Sequence, residues 1–124
     1  MSQHHFVLHH ASLLVANVDA SLAFYCGVLG LDPIERPNLG FAGAWLALGD
    51  KQQLHLLELP NPDPITGRPI HGGRDRHVAL TTPDISVVKA ALDAAQVRYT
   101  LSISGRKALF CRDPDGNAIE IIER

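Results

Sequence analysis

The amino-acid sequence predicts an α+β fold made of two halves that share the element order β-α-β-β-β. Three observations support this prediction. The pattern of strands and helices recurs after about 65 residues, the two halves end in segments that align without a gap, and a stretch rich in proline and glycine separates them. We predict a single domain over residues 1–124, with a first module at 6–59, a connecting loop at 60–76 and a second module at 77–124.

The first module is expected to begin with a strand and a helix. The segment FVLHHASLLV (6–15) is rich in β-forming residues. The segment NVDASLAFYCGVLGL (17–31) has the apolar spacing of a helix, with Asp19 as its N-cap and Gly30 at its C-terminal end. Three strands are predicted to follow, at 33–38, 42–49 and 53–59.

The segment 60–76 contains four prolines and three glycines, so we predict a loop that is either a connector or a functional flap. The second module then repeats the order of the first. A strand is expected at 77–82, and a helix at 84–97 is expected to have Asp84 as its N-cap. Further strands are predicted at 98–103, 107–112 and 117–123, with a tight turn at DPDGN, 113–117.

Composition and charge exclude several classes of protein. Hydrophobic residues make up 46% of the 124 residues, which argues against a disordered chain. The net charge of −2 suggests neither nucleic acid nor an anionic membrane as a partner, and no apolar run is long enough to span a bilayer. Without a recognisable secretory signal, we expect a cytoplasmic protein in which Cys26 and Cys111 are unpaired thiols. His4 and His5 are expected to belong to a frayed terminus.

Aligning the modules brings four possible metal ligands into matching positions. In LHLLEL (54–59), His55 and Glu58 should point to opposite faces of a strand. His10 matches His77 at the start of each module, and His55 matches Glu120 near the end. If both starting histidines point inward, His55 and Glu120 are their natural companions, and the second matching pair, Glu58 and Glu123, is expected to be solvated.

The segments that carry the repeat resemble a known superfamily. LHHASLLVANVDASLAFYCGVLGL, GAWLALGDKQQLHLLELP, RHVALTTPDISVVKAALDAAQV and LFCRDPDGNAIEII together cover nearly the whole chain outside the loop. They are similar to the vicinal oxygen chelate superfamily of glyoxalase I, bleomycin-resistance proteins and extradiol dioxygenases, and to its glyoxalase-like subgroup. The resemblance implies that the two β-α-β-β-β modules form a curved, barrel-like mixed sheet around a metal cavity.

The resemblance also implies a ligand set. The histidine positions of the family fall on His10 and His77, and its final carboxylate falls on Glu120. The fourth position, where glyoxalase I has glutamate or glutamine, holds His55 here. Three imidazoles and one carboxylate suit one divalent transition metal, namely Zn, Ni, Co, Mn or Fe(II), rather than calcium or magnesium. Glu120 is the candidate catalytic residue, because a carboxylate beside the metal could also act as a general base.

Alternation along the strands predicts the lining of a substrate pocket. The residues expected to share faces with the ligands, together with an aromatic wall, are Ser12, Leu57, Ala79, Thr81, Phe41 and Trp45. This small and mostly apolar lining suits a small oxygenated molecule. Four arginines are candidates for binding a substrate carboxylate, although ordinary surface positions are favoured for each: Arg74, Arg76, Arg106 and Arg112. His71, in the loop, is expected to be solvated.

The function that these residues favour is that of a metal-dependent lyase or isomerase of the glyoxalase type, acting on a substrate with vicinal oxygens. One alternative is an iron(II) extradiol dioxygenase using His10, His77 and Glu120, with His55 as an acid or base. Another is a non-catalytic resistance protein that binds a drug or other ligand. A small-molecule substrate and a homodimer are expected, and the modules could pair within one chain or between two chains.

Overall fold

A computed structural model describes residues 5–124, and His4 lies outside this part. The first module contains a four-stranded sheet and one helix. Its strands are β1 (His10–Leu14), β2 (Asp32–Ile34), β3 (Gly43–Leu48) and β4 (Gln52–Leu57). Its helix, α1, is an α-helix over Val18–Leu22 that continues as a π-helical segment over Ala23–Val28. The strand order is β1-β4-β3-β2, with β1 parallel to β4 and the other neighbours antiparallel.

The second module repeats this arrangement. A short 3-10 turn at Gly72–Arg74 precedes it. Its elements are β5 (His77–Thr82), α2 (Ile85–Ala94), β6 (Tyr99–Leu101), β7 (Ala108–Arg112) and β8 (Ala118–Glu123). The strand order is β5-β8-β7-β6, again with a parallel first pair. The predicted α+β class is confirmed, although the eight strands form two separate sheets rather than one closed barrel.

The first strand and the first helix begin later than predicted. Strand β4 starts at Gln52 and its register with β1 begins with His10 opposite Gln53, so β1 begins at His10 rather than at residue 6. The predicted N-cap Asp19 is wrong. Asn17 caps the helix instead, because its Oδ1 accepts a hydrogen bond from the Ala20 backbone N–H at 3.0 Å. The predicted N-cap Asp84 of α2 is confirmed by its bond from Ser86 N–H at 3.0 Å.

Each sheet packs one face on the helices, and its other face carries the candidate ligands. The packed faces contribute Leu46, Leu54 and Leu56 from the first module and Leu109 and Ile119 from the second, all with 0% exposure. These residues and the helices form one hydrophobic core that spans both modules. Alternation places the other side chains on what we call the open faces: His10, Ser12, Trp45, His55 and Leu57 in the first module, and His77, Ala79, Thr81, Phe110 and Glu120 in the second. No helix within residues 5–124 is long and apolar enough to cross a membrane.

The matching carboxylates Glu58 and Glu123 hold the helices onto the sheets. Glu58 Oε1 accepts the backbone N–H of Val18 at 2.9 Å, and Glu123 Oε1 accepts that of Ile85 at 3.1 Å. Both side chains are half-buried. The prediction that they are solvated is therefore wrong, because the first turn of a helix needs acceptors for its free N–H groups. Their orientation away from the open face is as expected.

The turn DPDGN links the two modules. Asp113 is 5% exposed and its Oδ2 accepts the hydroxyl hydrogen of Tyr25 at 2.7 Å, and Asn117 Nδ2 donates to the Leu14 carbonyl at 3.1 Å. Asp115 Oδ1 also accepts the backbone N–H of Ala16 at 2.9 Å. Asp113 further accepts the backbone N–H groups of Asp115 and Asn117 within its own turn. The turn thus fixes the second module against β1 and α1 of the first.

Burial of Asp113 gives the free energy of unfolding a specific pH dependence. Burial raises the pKa of this carboxyl above its ordinary value of 3.8, although the hydrogen bonds from Tyr25 and Asn117 act in the opposite direction. A raised folded-state pKa means that the folded protein holds the proton more tightly than the unfolded chain. The contribution of this group to stability is therefore expected to fall as the pH rises from about 4 through the raised pKa.

Urea unfolding of the wild type and of Asp113→Asn between pH 4 and pH 8 measures this effect. The free energy of unfolding of the wild type, relative to the variant, should decrease as the pH rises. A difference that stays constant or increases with pH would contradict the prediction.

Candidate metal centre

His10 and His55 form a stacked pair on the open face of the first module. Their ring centroids are 4.0 Å apart with an interplanar angle of 17°. Trp45 extends the stack from the next strand, at 4.4 Å and 7° from the His55 ring. Parallel β1 and β4 place His10 opposite Gln53 and His55 opposite Ser12, so the two imidazoles are diagonal neighbours. The stack packs the His55 ring between those of His10 and Trp45.

Burial favours the neutral form of His55. Its pKa is lowered mainly by burial, since the residue is 8% exposed, and further by the nearby charges of His10, His9 and Arg36 when these are protonated. Its Nε2–H donates to Gln53 Oε1 at 2.8 Å, because an amide oxygen can only accept. The other ring nitrogen therefore keeps its lone pair, which is the form of histidine that binds a metal ion.

His77 and Glu120 form the second pair, on the open face of the second module. His77 Nε2 lies 3.3 Å from Glu120 Oε1, and Glu120 is 3% exposed. His77 Nδ1–H donates to the Asp75 backbone carbonyl at 2.8 Å, which leaves Nε2 without a proton in the neutral ring. Two lone pairs then face each other across this gap, so a cation or an added proton is needed between them. The arrangement fits a bound metal ion.

Asp75, which orients His77, is itself fixed by two arginines. Arg112 Nη1 donates to Asp75 Oδ2 at 2.8 Å, and Arg68 Nη1 lies 3.1 Å from Oδ1. The hydrogen bond from Arg112 is the main reason that the pKa of Asp75 is lowered. Arg112 also donates to the carbonyls of Gly116 and Pro69 and so ties the connecting loop to β7. A carbonyl that orients a ligating histidine is a common support of metal sites in proteins.

The arginines that the sequence suggested as carboxylate ligands have other partners. Arg106 Nη2 lies 3.2 Å from Glu120 Oε2, and Arg76 Nη2 lies 2.9 Å from Asp63 Oδ2. Arg112 pairs with Asp75, so the expectation that it is an ordinary surface arginine is wrong. Arg74 is exposed. The sequence analysis did not single out Arg36. Extending the alternation of β2 two residues beyond Ile34 would have placed the Arg36 side chain on the same face as Ile34.

His71 is not the solvated loop residue that the sequence suggested. Its Nδ1 lies 2.6 Å from Thr100 Oγ1, and its ring packs edge-on against Phe110 with centroids 4.8 Å apart. Phe110 contacts His77 in the same way at 5.2 Å. Gly72 and Gly73 allow this close approach, since a Cβ on either would come within 3.3 Å of the Phe110 side chain. The connecting loop therefore forms part of the wall beside His77.

The two ligand pairs are equivalent but separate. In the second module Ala118 lies opposite His77 and Glu120 opposite Ala79, which is the same diagonal offset that joins His10 to His55. Within residues 5–124, however, no three His, Cys, Asp or Glu side chains approach closely enough to hold one metal ion. The predicted pocket residues divide in the same way, with Ser12, Leu57, Phe41 and Trp45 in the first module and Ala79 and Thr81 in the second. Within the described part of one chain, the candidate ligands therefore form two half-sites, and the quartet stays a prediction.

Duplicated modules of this topology, each with two candidate ligands on one strand face, define a vicinal oxygen chelate architecture. A family model described as the Glyoxalase/Bleomycin resistance protein/Dioxygenase superfamily matches residues 7–121. The chain belongs to this superfamily.

Individual relatives agree with this assignment. The chain is 36% identical over 120 residues to "Glyoxylase I 4" of Arabidopsis thaliana, covering 92% of this chain and 68% of that protein. The structure of a glyoxalase family protein from Bacillus anthracis superimposes with a TM-score of 0.80 at 21% identity, covering 100% and 99% of the two chains. That of TnmS3, an antibiotic binding protein from Streptomyces sp. CB03234, gives 0.73 at 23% identity, with 99% and 98% covered. At these identities, the two structures support the fold alone.

Proposed function

We propose that this protein is a divalent-metal-dependent enzyme of the glyoxalase type, a lyase or isomerase whose metal centre is completed by a second copy of the chain. In each centre, His10 and His55 would come from one subunit, and His77 and Glu120 from the other. The observation that carries the proposal is the pair of equivalent, separated half-sites on the open faces. A homodimer related by a two-fold axis would contain two such centres, since each subunit supplies both halves.

The donor set fits a transition metal better than calcium or magnesium. Burial lowers the pKa of His55, which favours its neutral form, and the hydrogen bond to the Asp75 carbonyl leaves a lone pair on Nε2 of the neutral His77 ring, so both imidazoles suit coordination. A divalent ion bound there would polarise two neighbouring oxygens of a substrate. Glu120 lies beside that position and can hold or move a proton at Oε1, while Arg106 fixes Oε2. The mostly apolar faces around the ligands would keep water away from the reacting atoms.

Mixing two inactive variants tests the shared centre. His10→Ala and His77→Ala should each lose the metal when purified alone, because every centre in such a dimer lacks one ligand. Refolding the two variants together should restore about one intact centre per heterodimer. In that centre, the His77→Ala chain supplies an unaltered first module and the His10→Ala chain supplies an unaltered second module. The measurements are metal content by mass spectrometry and oligomeric state by light scattering.

Restoration only in the mixture supports the proposal. If mixing restores nothing although wild type binds about one ion per chain, the centre lies within a single chain and the proposal is wrong in this respect. A metal load that ignores His55→Ala would instead favour the iron(II) dioxygenase alternative. A wild-type dimer that binds no metal after reconstitution would favour a ligand-binding protein.

A further inference from the structure

We propose that Arg36 forms a subsite for an anionic group of the substrate, at the β2 end of the open face of the first module. This inference rests on the proposed function, because it places the anion relative to the same centre. The substrate class would be a small compound with vicinal oxygens at one end and an oxyanion, a carboxylate or phosphate, at the other. Four observations on the described residues support it.

The register places Arg36 on the same face as the first half-site. Ile34 lies opposite Trp45, and Trp45 lies opposite His55. Arg36 is two residues beyond Ile34, so alternation places its side chain on the same face. Its guanidinium crosses to β3 and lies against Gly43, where a Cβ would come within 3.0 Å of Cζ and Nη2. A Cβ at position 43 would also collide with the Leu56 carbonyl oxygen, so glycine at this position accommodates both the neighbouring strand and the cation.

The guanidinium is held in a fixed orientation by Phe41. Its Cζ lies 4.9 Å from the centre of the Phe41 ring, and Nη2 donates to the Phe41 carbonyl at 3.1 Å. A cation over an aromatic face is attracted by the ring quadrupole without being neutralised. The planar fork of the arginine therefore keeps most of its N–H groups for a ligand.

Arg36 differs from the other arginines in being partly buried without a carboxylate partner among the described residues. Within residues 5–124, it is half-buried and has no ion-pair partner. The remaining arginines either pair with carboxylates, as Arg68, Arg76, Arg106 and Arg112 do, or are exposed, as Arg74, Arg98 and Arg124 are. A partly desolvated cation without a counter-charge, on the face that carries His10 and His55, is a place where an anion would be bound strongly.

The spacing limits the size of the ligand. Trp45 lies opposite His55 on the neighbouring strand, and Gly43 is two residues from Trp45 along β3. The spacing between strands and the rise along β3 together put the guanidinium at Gly43 about 8 Å from the His55 ring. A molecule whose anionic group is separated from its vicinal oxygens by a short carbon chain would span this distance. Trp45 lies between the two ends, and it is the only tryptophan of the chain, so its fluorescence reports on occupancy without any assay of activity.

Fluorescence titration of Trp45 with matched probes tests the inference. The first pair is 2-oxoglutarate and 2-oxopentanoate, which differ by a distal carboxylate against a methyl group. The second is dihydroxyacetone phosphate and dihydroxyacetone, which differ by a phosphate. In wild type, the member of at least one pair that has the additional anionic group should bind about 10 to 100 times more tightly than the member without it, and the pair with the larger ratio identifies the anion.

Variants separate binding from a structural role. In Arg36→Gln the ratio should fall to about one, Arg36→Lys should retain part of it, and Arg74→Gln, an exposed control, should behave as wild type. A purely structural role would lower the melting temperature without changing the ratio. The inference is overturned if the ratio in Arg36→Gln equals that of wild type, if Arg74→Gln loses it instead, or if no probe changes the fluorescence of wild type. Metal content is measured on the same samples, and the ratio of probe affinities can be read with or without bound metal. A failed anion subsite can therefore be distinguished from a failed metal centre.

Discussion

Glutamine in place of Glu120 is expected to weaken Zn²⁺ binding to the dimer on the order of 100-fold or more, with the fold retained. The carboxylate is buried, and Oε1 faces the lone pair of His77 Nε2 at 3.3 Å. An amide has the same shape but no charge, and it cannot compensate the positive charge of a metal ion. Competition with a fluorescent zinc chelator measures the dissociation constant, and catalytic activity on any substrate found should fall in parallel.

Glu123→Gln is the matched control for this change. Glu123 is on the same strand as Glu120 but faces the helix side, where its Oε1 accepts the Ile85 N–H. This variant should keep the zinc affinity of wild type and lose about 1 kcal/mol of unfolding free energy, since it weakens a helix cap. Equal zinc affinities for wild type and Glu120→Gln would remove Glu120 from the ligand set and leave only the imidazoles.

Alanine at position 113 is expected to lower the free energy of unfolding by about 3 kcal/mol or more. The substitution leaves the buried Tyr25 hydroxyl without its acceptor and also removes the acceptor for Asn117. A buried donor that loses its partner costs about 1–3 kcal/mol because it cannot return to water. Since this turn joins the second module to the first, the loss should appear in the single unfolding transition followed by circular dichroism in urea.

Asp115→Ala provides the comparison within the same turn. Asp115 also bonds to the first module, through Ala16 N–H, but this bond is exposed to solvent. Water can replace an exposed acceptor, so the loss should be below about 1 kcal/mol. If the two alanine variants are equally stable, burial of Asp113 is not what joins the modules.

The positions of the candidate ligands along the chain could be predicted because strands alternate their faces. The repeat aligned His10 with His77 and His55 with Glu120, and in the structure each pair shares one open face with the same diagonal offset. Alternation also predicted correctly that the side chains of Glu58 and Glu123 lie on the opposite face. It could not show that they cap helices, since that depends on where a helix begins in space relative to the strand.

Side-chain partners far apart in sequence were beyond sequence reasoning. Nothing in the local pattern joins Arg112 to Asp75, or Arg106 to Glu120, because each pair meets only after the strands or the loop have folded. His71 was misjudged for the same reason, since a loop rich in glycine and proline gave no sign that it would pack on Phe110.

By itself, the sequence determined the two β-α-β-β-β modules, the family and the residue types that face each cavity wall, because these follow from period, caps and turns that are local to the chain. Tertiary structure alone decided that the four candidate ligands divide into two half-sites, that Asp75 orients His77, and that Arg36 lies unpaired over Gly43. The physical reason is that distances between strands of different sheets, and the counter-charge of each arginine, depend on how the modules pack.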